Sequence, residues 1–428
     1  AGVLRRVTDE GAWATPTLDA ALGRAGLAPR DAGLATAITY GVLRVLPALD
    51  ARIAALQKRP GKLDPAVRAI LRVAAFQLAH LGRVPPHAVV DAAVRHAKAE
   101  RGPRVAGFVN ALCRRLAADR PHAPRPPERL LVPAWVEAAL GESLGERAET
   151  FLGERPLPPP LGLRLRAGAD APPGAVPGQV AEDAAHAPPG DARALPGFGR
   201  RFVVQEEGSQ LVGRALDVRP GEAVVDACAG RGGKTAQLAE ATGAGGRVLA
   251  LELHDARAAK IPGALAALGL GEVSLEVATV DLRVGTGGHA DSFDAVLVDA
   301  PCSGLGTVHR RPEILLRITP DDIGALAATQ AAILRTAATL VRPGGRLVYA
   351  VCSPLRAEGA AVADAAAEAL AEGGLEPWDF AGKLPGARVP VPTDPDGALR
   401  LGPWLADGAG CDAYQLFRWR RRGVGNAS

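Results

Sequence analysis

Ala223-Val-Val-Asp226-Ala-Cys-Ala-Gly-Arg-Gly-Gly-Lys-Thr235 is the stretch that decides the fold. A short apolar run ends in an acid, a glycine-rich turn follows, and a helical pattern opens at Lys234. Glycines at such a turn let the backbone approach a ligand, and the helix start presents unpaired N–H groups. A phosphate-binding P-loop would need glycine five residues before the Gly of Gly-Lys-Thr, and position 228 is Cys. The next apolar run, Arg247–Glu252, puts Glu252 about 20 residues beyond the glycines, where nucleotide-binding folds hold an acid for ribose hydroxyls. Alone, the pair means a nucleoside cofactor or a structural turn.

Working outward, Ser274–Ala278, Ala295–Asp299 and Arg346–Ala350 are further candidate strands. Helical stretches at Lys234–Ala241, Ala256–Leu268 and Asp321–Leu340 lie between some of them. Strand and helix in series imply an α/β, doubly wound, mostly parallel sheet, a Rossmann-like domain predicted over 201–423. In such a sheet the carboxyl ends of the strands line one crevice. Five strands then deliver Cys228, Glu252, Asp281, Asp299 with Cys302, and Cys352 to that edge. Free cysteines commonly serve as small buried hydrophobes. Cys302 and Cys352, however, both sit just past a strand, beside Pro and Ser, in Asp299-Ala-Pro-Cys302-Ser-Gly-Leu-Gly306 and Val351-Cys352-Ser-Pro354.

Upstream the texture changes. Residues 1–120 read as an all-α domain, with Val67, Ile70, Leu71, Ala74, Ala75 and Leu78 at helical spacing within Pro65–Gly82. Asp64 before Pro65 suits an N-cap with proline at the first helical position. Amphipathic runs follow at His87–Lys98 and Val105–Ala118. Residues 121–200 are rich in proline and glycine and read as a linker with a small module, including a helix at Pro133–Leu140 and a strand at Leu161–Arg166.

Of the 428 residues, 48% are apolar and 22% charged, a globular balance, and the net charge of +4 says little about a polyanion partner. The five cysteines are too scattered for a disulfide framework, and the absence of CxxC and HExxH motifs leaves no zinc site to expect. No apolar run suggests a membrane span and no signal-peptide pattern opens the chain, so a cytoplasmic monomer with free thiols is expected, with no membrane and no metal.

These motifs resemble the Nop/Sun family of RNA 5-methylcytosine methyltransferases, which use S-adenosyl-L-methionine. The family's cofactor loop DxCAAPGGKT reads here with Gly230 and Arg231 in place of Ala and Pro. Its DAPCSGxG matches residues 299–306 fully, and its TCS matches as Val351-Cys352-Ser353. Gln205–Gln210 resembles the family's QDxxSQ entry, and Val308–Glu313 its RRxPD loop, with Leu316 where Trp is usual. Cys411–Arg420 resembles the closing strand. Arg83–Val94 and Gly107–Arg115 are similar to the RNA-binding antitermination factor NusB, an order of domains found in bacterial 16S ribosomal RNA methyltransferases.

The resemblance implies 16S ribosomal RNA as partner and Cys352 as a nucleophile that adds to C6 of cytosine. It makes Cys302 the base, or its assistant, for release of the C5 proton, and Asp299 the group at N3. The loop Cys228, Ala229, Gly230, Arg231, Gly232, Gly233 and Lys234 would hold the methionine portion of the cofactor, Glu252 its ribose and Asp281 its adenine side, with Asp299 nearby. Asp299, beside apolar neighbours, is expected to hold a proton, and Lys234 to be structural or carboxylate-facing. Arg310, Arg311, Arg104, Arg114 and Arg115 are candidate RNA contacts, within a basic cluster that includes Arg95, Lys98 and Arg101. A solvated helix face is the plain alternative for that cluster. Transfer RNA as substrate, and a non-catalytic assembly factor, are the competing functional readings.

Overall fold

The computed structural model describes every residue except 58–60, 120–128, 154–158, 291, 381, 407–410 and 424–428. The chain divides into two compact units, the first comprising Ala1–Ala134, Leu152–Pro159 and Val308–Arg317, the second the remainder.

In the first unit, Pro65–His80 is the central helix, burying Val67, Ile70, Leu71, Ala74, Ala75 and Leu78 as the spacing predicts. Asp64 caps it through Oδ1, which accepts from Ala66 N at 3.0 Å and Val67 N at 3.3 Å. The other two expected helices are Pro86–Arg101 and Pro103–Ala118, each opening on a proline that needs no intrahelical donor there. Val308–Arg317, which the sequence places inside the sheet domain, packs in this unit. Arg44 Nε donates to His309 O at 2.5 Å, and the Arg317 guanidinium lies 4.2 Å from the centre of the Trp13 ring.

The second unit contains two sheets. Strands β1 (Leu161–Leu165), β2 (Val176–Pro177), β3 (Ala184–Ala187) and β4 (Phe202–Val204) form an antiparallel sheet in the order β2-β3-β1-β4. The larger sheet contains β5 (Ala223–Asp226), β6 (Arg247–Glu252), β7 (Ser274–Thr279), β8 (Phe293–Asp299), β9 (Val341–Val351), β10 (Leu375–Pro377), β11 (Leu399–Leu401) and β12 (Tyr414–Arg421). Its order is β10-β12-β9-β8-β5-β6-β7, with β11 paired to β12. Strands β5 to β9 are parallel, and β10, β11 and β12 pair antiparallel. This is the doubly wound sheet the sequence predicts.

Two local departures have physical causes. The helix predicted over Ala256–Leu268 breaks into Asp255–Ala258 and Ile261–Ala267, because Pro262 has no N–H to continue the ladder. The strand expected from Arg346 starts earlier, at Val341, and Arg342–Gly345 bulges out of it: Phe293 pairs with Val341 and Ala295 with Arg346.

Chain order reverses between β5 and β8. β6 and β7 extend the sheet to one side of β5, while β8 and β9 extend it to the other. Registers keep the strand ends level, with Asp226 opposite Leu297 and Asp299 opposite Ala350. A crevice at the carboxyl ends of such a sheet is its ordinary ligand site.

Candidate active site

The Gly230 and Gly232 backbones between β5 and the helix Gly233–Thr242 adopt φ of +58° and +85°, the left-handed region that glycine enters without penalty. Gly230 N donates to Glu252 Oε2 at 2.9 Å, so the acid at the end of β6 braces the loop. Glu252 is 6% exposed, and its Oε1 accepts from His254 N at 3.1 Å. Arg231, the departure from the resembled motif, is exposed and leaves the two left-handed glycines undisturbed. A Cβ added at Gly233 would meet no atom within 4 Å, and one at Gly230 only Cys228 O at 4.0 Å.

Beneath the loop, Asp226 is fully buried. Its Oδ2 accepts from Thr235 Oγ1 at 2.7 Å, and its Oδ1 has no partner among the described residues. Burial pushes this carboxyl up to about 6. Burial, with the Asp226, Asp299 and Glu252 carboxylates nearby, also holds the Cys228 thiol well above the ordinary range, which makes it a packing group of the loop.

Asp299, expected beside apolar neighbours, has a cation against it. Lys234 Nζ donates to Asp299 Oδ2 at 2.6 Å. Burial disfavours the ammonium, but the Asp299 carboxylate outweighs it and Lys234 titrates above the usual lysine range. Asp299 therefore faces a cation and not apolar neighbours, and Lys234 bears the proton. Asp281 is likewise engaged. Arg283 grips it with Nε at 2.9 Å and Nη2 at 2.6 Å, holding the carboxyl down at about 2.

β8 and β9 are adjacent, and their loops bring Cys302 Sγ within 3.3 Å of Cys352 Sγ. Both residues are half-buried, so they are not sealed core thiols. The hydrogen bond to Cys352, followed by burial, pushes the Cys302 thiol well above its ordinary value. Gly306 N donates to Cys352 O at 3.0 Å, and a Cβ at Gly306 would lie 2.9 Å from that oxygen and collide with Ala413 O. Only glycine lets the three segments approach.

The sequence reading missed the groups beneath the cysteines. Ser303 and Ser353 follow Cys302 and Cys352, and both hydroxyls donate to Glu358 Oε2 at 2.5 Å. The repeated Cys-Ser pair after two strands was the available signal. Glu358, deep in a loop with no motif around it, carried none.

Among the candidate RNA contacts, Arg104, Arg114 and Arg311 are exposed and Arg310 is half-buried. Arg115 instead binds backbone, donating to Leu56 O and, at 3.3 Å, to Ala111 O. Arg95 pairs with Asp91, and Arg101 with Asp64 at 3.2 Å. Among the described residues no group of His, Cys, Asp and Glu could hold a metal ion, and no single helix is long and apolar enough to cross a membrane.

A glycine loop at the switch point, an acid at the neighbouring strand end and a thiol pair beside them suit a group-transfer enzyme that uses a nucleoside cofactor. The open space over Gly230 and Gly233, the buried ribose-type acid Glu252 and the unfilled Asp226 acceptor suit S-adenosyl-L-methionine. The profile described as "16S rRNA methyltransferase RsmB/F" matches residues 214–385, and the NusB family profile matches residues 1–118. The ribosomal RNA small subunit methyltransferase B of Thermus thermophilus is 37% identical over 354 residues, 83% of each chain. The protein of that name from Xanthomonas campestris is 34% identical over 400 residues, 88% of each chain. PH0851, a solved structure 22% identical, has the same fold, with a TM-score of 0.71 over 91% of this chain and 90% of its own. The chain belongs to the 16S rRNA methyltransferase RsmB/F family, and it is an S-adenosyl-L-methionine-dependent RNA methyltransferase.

Proposed function

We propose that the protein methylates C5 of a cytosine in 16S ribosomal RNA through a covalent bond between Cys352 and C6. Family membership and near-full-length likeness to proteins named ribosomal RNA small subunit methyltransferase B support the substrate. The observation that carries the chemistry is the pair of half-buried sulfurs 3.3 Å apart at adjacent strand ends. A single pyrimidine ring presents C6 and C5 as neighbouring atoms, so two sulfurs that close can serve one each.

Cytosine C5 is a weak nucleophile. When the Cys352 thiolate bonds to C6, the C5–C6 π electrons move to C5 and create an enamine-like carbon. S-adenosyl-L-methionine, when bound, supplies an electrophilic methyl carbon. The loop 228–234 and Glu252 would hold that cofactor, and Asp281 lies at the end of the next strand along the same edge. Negative charge accumulates on the N3 side of the ring as the adduct forms. Lys234 is the proton-bearing group there, and Asp299 keeps it charged and accepts from the base's amino group. The base must be unpaired or turned out of its stack to enter the crevice.

Cys302 then takes the C5 proton, the electrons return to C5–C6, and the Cys352–C6 bond breaks. The leading cause of its high thiol pKa is the hydrogen bond to Cys352. That bond is lost once Cys352 is committed to C6, which lowers the Cys302 thiol toward its ordinary value, so the thiolate that can take the C5 proton becomes more populated only after the adduct exists. This orders the two half-reactions. Arg104, Arg114, Arg310 and Arg311 are the candidate phosphate contacts.

The test is to incubate the protein with 16S ribosomal RNA and transfer RNA transcripts and read the products by bisulfite sequencing. One protected cytosine in the 16S transcript is the expected result. Protection only in transfer RNA would overturn the substrate, and a methyl group on another atom would overturn the chemistry.

A further inference from the structure

We infer that Glu358 is a positioning residue that sets the spacing of the two sulfurs. The inference rests on the reading of Cys302 and Cys352 as the reacting pair. Glu358 closes the short turn Arg356–Glu358 before the helix Ala360–Glu372 and is completely buried. Its Oε1 accepts from Ser303 N at 2.7 Å and Gln330 Nε2 at 3.1 Å. Its Oε2 accepts the hydroxyls of Ser303 and Ser353, each at 2.5 Å. One carboxylate therefore holds the residue after each cysteine, on two loops that leave different strands.

The surroundings fix the carboxylate in turn. Gln330 Nε2 also donates to Pro301 O at 2.9 Å, just before Cys302. The Tyr349 hydroxyl donates to Glu358 O at 2.5 Å. Gln415 Nε2 donates to Ser353 O and Leu355 O, both at 2.8 Å, which pins the Cys352 loop from β12. A buried carboxylate filled by four donors, with no cation among the described residues paired to it, is a rigid junction, because losing any donor leaves an unsatisfied acceptor. A glutamine at 358 keeps the size but presents an NH2 to groups that now donate. The serine hydroxyls must turn away, and the tie between the loops is cut.

Glu358 makes no hydrogen bond to either sulfur, so it acts through their placement and through the negative charge that helps to raise the Cys302 thiol; losing that charge alone would speed oxidation, the opposite of losing the spacing. That separates it from a residue that merely supports the fold. Oxidation of the full-length protein with diamide converts two thiols to one disulfide, diamide taking up the two protons and two electrons. Its rate reports sulfur proximity with no RNA present. In Glu358→Gln we expect the Cys302–Cys352 disulfide, read by mass spectrometry, to form at least fivefold more slowly than in wild type. We expect kcat to fall about 30-fold, with affinity for S-adenosyl-L-methionine within twofold and KM for RNA within threefold. Ser353→Ala, which removes one donor only, should move both rates in the same direction by less, and keeps the test available if Glu358→Gln does not fold.

Disulfide formation at the wild-type rate in both variants would overturn the inference. So would a loss of cofactor affinity in proportion to kcat. A slowed disulfide in variants of a protein that does not methylate RNA would leave Glu358 as the spacer and remove the methylation reading instead.

Discussion

Lys234 Nζ stands 2.6 Å from Asp299 Oδ2, joining the start of the helix after the glycine loop to the end of β8. Both side chains are largely withdrawn from water, at 14% and 25% exposure, so the pair is screened little by salt. The relationship puts one mobile proton beside the proposed target ring.

Lys234→Gln should therefore lower single-turnover methyl transfer by about 100-fold, the usual size of a lost proton donor. The wild-type steady-state turnover rate, which includes release of the C5 proton to Cys302, should rise with pH between about 7 and 9. The hydrogen bond to Cys352 and burial hold the Cys302 thiol above its ordinary value, so the proton-accepting form increases as pH rises toward it. The raised Lys234 titration keeps the alkaline limb out of that window. Rates measured across that range with radiolabelled cofactor check both statements; a falling profile would contradict them.

Gly306→Ala should destabilise the second unit by about 3 kcal/mol, because the new methyl meets backbone oxygens on two segments and neither can turn away. Urea unfolding measures the loss. Methylation should suffer more than stability, since one of those oxygens belongs to Cys352.

Arg104 and Arg114 should weaken RNA binding when changed together to alanine. If each contacts one phosphate, the slope of log affinity against log salt falls by about 1.4. Arg115→Ala should instead lower the melting temperature and leave that slope unchanged, because its guanidinium is spent on Leu56 O and Ala111 O. Filter binding over a salt series separates the two outcomes.

The strands that position the site were legible because each is a short apolar run closed by a chemically distinctive residue. Ala223–Asp226 and Arg247–Glu252 agree with the structure at both ends. The small sheet was not: β2 and β3 are two and four residues long, lie in proline- and glycine-rich sequence, and are held by long-range pairing, β3 with β1 and β2 with β3. Asp299 illustrates the same limit within the site. Its position followed from the strand, but its partner is 65 residues away and no local pattern announces a long-range ion pair. Glu358 was hidden for the same reason.

The most direct test of the covalent account is denaturing electrophoresis of the protein with 16S ribosomal RNA and S-adenosyl-L-methionine. Cys302→Ala should leave protein bound to RNA, because the Cys352–C6 bond forms and the proton that must leave has no acceptor. Cys352→Ala should give no adduct. The reverse pattern would exchange the two roles, and no adduct in either variant would contradict covalent catalysis at this site.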